Sequence, residues 1–127
     1  MKDHHPEKAN YSIALVNYKS LELTKKCLQL LQHVVQEKGI SVYVVDNDSR
    51  DSSTEYLQTL KWINLIERKP EHLEAGNIAH GRALDLALGF VETEYVFLLH
   101  TDTFIYDLEV FNMMLAQCAE QQDVAAV

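Results

Sequence analysis

Apolar and polar positions along this chain fall into two recurring patterns. Short runs rich in β-branched and aromatic residues are separated by longer stretches with helical spacing. Tyr11–Asn17 (YSIALVN) predicts a first strand. Ser20 stands where it can cap a helix running to about Lys38, in which Leu23, Cys27, Leu30, Leu31 and Val34 share one face. Lys38-Gly39 is a stop signal for that helix. Ile40–Asp46 (ISVYVVD) predicts a second strand, apolar almost throughout, as a strand covered on both faces should be. Asn47–Ser53 is a polar loop, and a short helix follows from Ser53 to Leu60. Trp62–Glu67 (WINLIE) predicts a third strand and Arg68–Ala75 a loop. Gly76 to about Val91 reads as a helix, with Ile78, Leu84, Leu88 and Val91 available for packing. Tyr95–Leu99 (YVFLL) is the fourth strand, and Asp107 can cap a last helix to about Gln121. Val124–Val127 resembles the start of a further strand.

Strands alternating with helices predict an α/β fold, a three-layer α/β/α arrangement around a mainly parallel sheet. Ligands of such sheets bind beyond the carboxyl ends of the strands, where the strand order reverses. That rule selects Val16-Asn17-Tyr18, Asp46-Asn47-Asp48, Arg68-Lys69 and His100-Thr101-Asp102 before any motif is considered.

The 127 residues suit one domain, over residues 11–127, behind a flexible polar leader of residues 1–10. His4-His5 belongs to that leader and does not read as a metal site. A hydrophobic fraction of 47% and a charged fraction of 24% are those of a soluble globular chain. The net charge of −8 argues against nucleic acid and against an anionic membrane surface. It leaves room for a nucleotide, provided that amides, an Arg or a divalent cation neutralise the phosphates. Cys27 and Cys118 sit in helical patterns and read as buried, reduced thiols. No secretory signal opens the chain and no apolar run could span a bilayer, so the expected location is cytoplasmic and no membrane insertion is expected. The apolar ending Val124–Val127 predicts an incompletely covered sheet and, from it, self-association as a homodimer.

Three stretches carry candidate chemistry. Asp46-Asn47-Asp48-Ser49 puts two carboxylates, an amide and a hydroxyl after a strand, where they can accept from a base N–H or a ribose hydroxyl. The same residues also suit a plain polar turn. His100-Thr101-Asp102-Thr103 offers a carboxylate that can hold Mg²⁺ or Mn²⁺ bridging two phosphates, or it is simply the loop before a helix. Gly76-Asn77-Ile78-Ala79-His80-Gly81-Arg82 crowds a helix start, where an anion is favoured and Arg82 can reach a diphosphate. The alternative is that Gly76 and Gly81 let the helix approach the sheet closely.

Together these stretches resemble glycosyltransferase family 2, inverting enzymes of the GT-A fold. Ser12–Tyr18 with Leu21–Leu31 is similar to the family's first strand and helix. Val44-Val45-Asp46-Asn47-Asp48-Ser49 is similar to its "VVDNGS" signature. Ala75–Thr103 is similar to its Gly/Asn-rich helix, strand and metal motif, which in rhamnosyltransferase-like members reads as leucines followed by "NPDT". The resemblance runs from about residue 11 to the end of the chain. It implies a GT-A domain that binds a UDP-, dTDP- or GDP-sugar with Mg²⁺ or Mn²⁺, for transfer of the sugar to an acceptor hydroxyl. The implied nucleotide-binding residues are Val16, Asn17, Tyr18, Asp46, Asn47, Asp48, Gly76, Arg82 and His100, and the implied metal ligand is Asp102.

Two residues depart from the family pattern: His100 stands at the first acidic position of the "DxD" motif, and Asp48 replaces the common glycine. Family members continue past the metal motif into an acceptor-binding half that carries the general base. Asp107 and Glu109 read as first-turn helix acids, and Glu120 and Asp123 as a solvated helix end, so no residue of this chain is assigned as that base. The expectation is therefore the nucleotide-sugar-binding part of a glycosyltransferase, as a truncated domain or part of a larger enzyme. The competing reading is a non-catalytic nucleotide-binding or interaction module with the same ancestry. A receiver domain would need acids after the first strand, where Asn17-Tyr18-Lys19 stands. A dinucleotide fingerprint or a P-loop would need glycine there, and none precedes Gly39.

Overall fold

The computed structural model describes residues 9–120. The elements are β1 (Tyr11–Asn17), α1 (Leu21–Val35), β2 (Val42–Asn47), α2 (Ser52–Thr59), β3 (Asn64–Arg68), α3 (Gly76–Leu88), β4 (Tyr95–Leu99) and α4 (Glu109–Glu120). The four strands form one sheet in the order β3-β2-β1-β4, with every neighbouring pair parallel. The order runs outward from β1 through β2 to β3, then reverses so that β4 lies on the other side of β1. The reversal sets the carboxyl ends of β1 and β4 beside one another.

Central position explains the composition of β1, all seven of whose residues are buried. One face of the sheet carries Ile13, Leu15, Val42 and Val44 and is covered by Leu28, Leu31 and Val35 of α1, Leu57 of α2 and Phe111 of α4. The other face carries Ala14, Val16 and Val45 and is covered by Ala83 and Ala87 of α3. Helices thus lie on both faces of a parallel sheet, the three-layer arrangement that the alternation predicts.

Several element boundaries and faces differ from the sequence expectation. The first helix stops at Val35 rather than near Lys38, because Glu37 already turns into the left-handed region at φ 62°, followed by Gly39 at φ 68°. Ser20 stands at the start of α1 without capping it, since its hydroxyl donates to the Asn17 side chain instead. The short second helix is capped by Asp51, which accepts from the Ser53 amide at 3.0 Å. Trp62 and Ile63 precede β3 rather than opening it. The last helix begins at Glu109, whose amide donates to Asp107 at 2.9 Å.

The packing face of α3 also differs. Leu84 packs on that face as expected, but Ile78 and Leu88 are 48% and 40% exposed, and the small side chains Ala83 and Ala87, one helical turn apart, meet the sheet. Close approach rests on these alanines rather than on the glycines. A Cβ added at Gly76 or Gly81 would meet nothing within 4 Å. Of the two cysteines, Cys27 is buried and Cys118 only partly so. The leader with His4-His5 and the Val124–Val127 segment, on which self-association was expected, lie outside the described residues.

Candidate functional site

The carboxyl ends of the four parallel strands and the loops that follow them carry every residue singled out above except those on α3. Asn17, the last residue of β1, is completely buried. Its amide nitrogen donates to Asp46 Oδ1 at 2.9 Å and Ser53 Oγ at 2.9 Å, with a longer approach to Ser49 Oγ at 3.2 Å. Its carbonyl oxygen accepts from Thr24 Oγ1 at 2.7 Å and Ser20 Oγ at 3.1 Å. One side chain therefore ties the end of β1 to β2, to α1 and to the start of α2. Each polar atom of Asn17 is satisfied, as a fully buried amide requires. Val16 is 8% exposed, and Tyr18, at 59%, is the residue of this strand end that meets solvent.

Asp46 ends the apolar run of β2 and pairs in register with Asn17. Ser49 Oγ donates to its Oδ1 at 2.7 Å and Thr54 Oγ1 to its Oδ2 at 2.7 Å. With the Asn17 bond, three donors fix the carboxylate in the wall of a cleft of about 220 Å³. Asp48, Arg50, Thr54, Gln58, Glu67, Arg68 and Lys69 complete the walls of that cleft.

Asp48 stands at φ 58°, in the left-handed region. A glycine is the usual occupant of such a position, and Asp is among the few other residues that tolerate it. Arg50 Nε donates to its carboxylate at 2.9 Å. The departure from glycine thus leaves a turn that still needs glycine-like geometry. Asp48→Val is expected to cost roughly 1–2 kcal/mol, whereas Asp48→Gly should stay close to the parent in urea unfolding. Equal midpoints for the parent and Asp48→Val would contradict this strain.

Asn47, 8% exposed, accepts from Arg68 Nη1 at 2.8 Å. Arg68 Nη2 donates to Glu74 Oε1 at 2.6 Å, and Arg82 Nη1 of α3 donates to Glu74 Oε2. The hydrogen bond from Arg68, followed by that from Arg82, holds the Glu74 carboxyl below the usual glutamate range, against its own partial desolvation. Arg68 was selected by the strand-end rule without a role. Glu74 carried no sequence signal, because a single acid in a loop does not reveal that two guanidinium groups converge on it.

The fourth strand end lies apart from the Asp46 loop, with β1 between them. Among the described residues β4 lies at the edge of the sheet, and its residues are only partly covered, with Leu98 48% exposed. His100–Thr103 closes a turn through the Thr103 amide and the His100 carbonyl at 2.9 Å. The turn leaves His100 and Asp102 exposed. The His100 ring stacks on His80 of α3, with centroids 5.5 Å apart and planes within 8°. His80 is a contact that helical periodicity did not single out. On the opposite side, the Lys26 ammonium lies 4.8 Å from the centre of the Phe104 ring, which ties the turn to α1. Burial pushes the Cys27 thiol up to about 11, and the nearby Asp102 charge adds to the shift, so Cys27 stays a neutral packing residue.

Among the described residues no three His, Cys, Asp or Glu side chains gather as a metal cage. A single exposed carboxylate on a turn suits a cation that draws most of its oxygen ligands from a bound diphosphate. Gly76, the first residue of α3, is exposed, and its N-cap residue Ala75 supplies no capping side chain. No acid stands in the first turn of that helix.

No curated protein matches the chain in sequence. Among solved structures, the chain is similar to Staphylococcus aureus TarS residues 1–349 in complex with UDP-GlcNAc. The two share 23% identity with a TM-score of 0.67 over 88% of this chain and 32% of that one. It is also similar to the mannosyltransferase PcManGT from Pyrobaculum calidifontis in complex with GDP-Man and Mn²⁺. There the identity is 16% and the TM-score 0.67, over 88% of this chain and 33% of that one. The chain thus spans about a third of the length of these structures, and the likeness establishes a GT-A-type α/β fold. No helix among the described residues is long and apolar enough to cross a membrane. The family model "Glycosyl transferase family 2" matches residues 12–127, and the chain belongs to that family.

Proposed function

We propose that this chain binds a nucleoside-diphosphate sugar across the carboxyl ends of its strands, as the donor half of a glycosyltransferase. The observation that carries the reading is the Asp46 carboxylate, held by three donors in the wall of a cleft, at the same carboxyl end of the sheet as Arg68 and the exposed Asp102. The base and ribose occupy the Asp46 cleft, flanked by Asn47 and Asp48, with the exposed Tyr18 ring available for stacking. Asn17 acts through Asp46, since its own side chain is wholly buried. The diphosphate lies toward Gly76, Arg82 and His100. Asp102 would hold the Mg²⁺ or Mn²⁺, which neutralises the diphosphate and makes it a better leaving group. The solved structures similar to this chain contain UDP-GlcNAc, and GDP-Man with Mn²⁺, which supports both the ligand class and the cation.

Sugar transfer by the whole protein would need a general base at the acceptor hydroxyl, and no residue of this chain is assigned that role. Calorimetric titration with UDP, dTDP and GDP and their sugar conjugates, with and without Mn²⁺, tests the reading. At least one is expected to bind more tightly with Mn²⁺. Asp102→Ala should lower that Mn²⁺-dependent affinity by on the order of tenfold or more. Absence of binding by every ligand, or an Asp102→Ala chain indistinguishable from the parent, would remove the nucleotide site.

A further inference from the structure

Glu74 lies in the loop between β3 and α3, and its two carboxylate oxygens are taken by two different guanidinium groups. The three side chains differ sharply in exposure: Glu74 is 7% exposed, Arg68 13% and Arg82 63%. Arg68 is anchored a second time by its bond to Asn47, so it is held from two sides. Among the described residues Arg82 pairs with Glu74 alone, and most of its surface faces solvent. The two pairs are therefore unequal. The Arg68–Glu74 pair is enclosed and doubly braced, whereas the Arg82–Glu74 pair is open and readily exchanged.

We propose that Glu74 is a resident counter-anion, which a ligand diphosphate replaces on Arg82 while Arg68 retains it. The proposal rests on the diphosphate being bound beside α3, as set out above. Guanidinium binds phosphate oxygens with the same fork geometry it uses for carboxylate. Exchange leaves Glu74 paired, because Arg68 keeps its hydrogen bond, and so strands no buried charge. A released Glu74 with no second cation would resist the exchange strongly; the second arginine removes that penalty. The ionised state of Glu74 is secured by the same two arginines, so the competing charge persists throughout the range where carboxylates are ionised. The consequence is a site tuned below its attainable affinity, with Glu74 setting the threshold that a polyanion must exceed.

The test uses inorganic pyrophosphate, UDP and GDP as probes, by calorimetry on the whole chain. Glu74→Gln keeps the size of the side chain and removes its charge. It is expected to bind pyrophosphate and the preferred nucleotide about two- to fivefold more tightly than the parent, as suits loss of an exposed ion pair. In an Arg82→Gln background the same change should have no effect. In the unaltered chain, the Arg82 Nε–Hε resonance should shift on pyrophosphate addition while that of Arg68 stays in place. This measurement stands even if Glu74→Gln folds poorly. Equal or weaker binding by Glu74→Gln, or joint movement of both arginine signals, would overturn the exchange and leave Glu74 as a strut. If none of the three probes binds parent or variant, the nucleotide site itself fails and the exchange with it.

Discussion

Replacing Asn17 with Ala is expected to lower the unfolding free energy by about 3–5 kcal/mol. A domain of this kind holds roughly 5–15 kcal/mol in total, so much of its stability depends on this one amide. The size follows from what the substitution strands. Asp46 loses one of three donors, Ser53 loses its link to β1, and Ser20 and Thr24 lose their shared acceptor. Asp46, Ser53 and Thr24 are buried, and each group left short of a partner costs about 1–3 kcal/mol, reduced because Ser53 keeps Asp51 and Thr24 keeps Ser20. Urea unfolding followed by circular dichroism would read the loss as a lower midpoint at unchanged slope. A loss under 1 kcal/mol would show that the network is not what holds this end of the sheet.

Asn17→Asp separates charge from shape. It keeps the acceptor oxygen but faces the Asp46 carboxylate with a second one. Two carboxylates in hydrogen-bond contact share a proton, so the carboxyl value of the pair rises in the folded state above its unfolded value. A group raised in this way contributes stability below its unfolded value, and the contribution is lost as pH rises. Asn17→Asp should therefore be severely destabilised at neutral pH and regain part of the loss on acidification toward pH 4. The parent chain should not recover in that direction. Because Asn17 fixes Asp46, any nucleotide binding should weaken alongside stability.

Phe111→Ala is expected to cost about 3–5 kcal/mol, as for a buried aromatic truncated in a packed core. Phe111 is 2% exposed and is the buried residue of α4, with Leu108 and Leu115 packed less completely around it. Its ring lies 4.4 Å from that of Phe97 and 5.8 Å from that of Tyr11, centre to centre, and Tyr11 and Phe97 meet edge to face at 5.2 Å. The cluster fastens α4 to the middle of β4 and the start of β1. Removing the ring should loosen α4 before the sheet, because few other side chains hold it. Amide exchange should then rise in residues 109–120 more than in β1 and β2. Uniform exchange across the whole chain would show that α4 and the sheet unfold as one unit.

Periodicity alone carries the architecture. The switch between strand-like runs and helical spacing located all eight elements of the described chain, and the alternation implied the parallel sheet. The Val44–Ser49 signature and the strand-end rule together brought Asp46, Asn47, Arg68, His100 and Asp102 into view. Element ends were less legible. Glu37 adopts a left-handed turn although nothing about a glutamate announces one, and Ser20 spends its hydroxyl on Asn17 rather than on its helix. On α3, Leu84 packs on the sheet as its apolar character suggests, but Ile78 and Leu88 do not, and Ala83 and Ala87 form the buried contact. Shape decided that face, since small side chains let a helix lie close to the sheet.

The sequence by itself determined which segments are strands and helices, and which strand ends carry polar chemistry. Those properties rest on neighbours a few residues apart, through backbone geometry and the side on which each residue falls. Only the tertiary structure decided that Asn17 is a buried clamp, that Glu74 joins two arginines, and that β1 separates the Asp46 loop from the Asp102 turn. Asn17 meets partners 29, 32 and 36 residues away along the chain. Such contacts depend on strand order and register, which arise when the apolar faces close over the sheet. The polar residues at its edge are brought together by that closure, so their partners are a property of the fold as a whole.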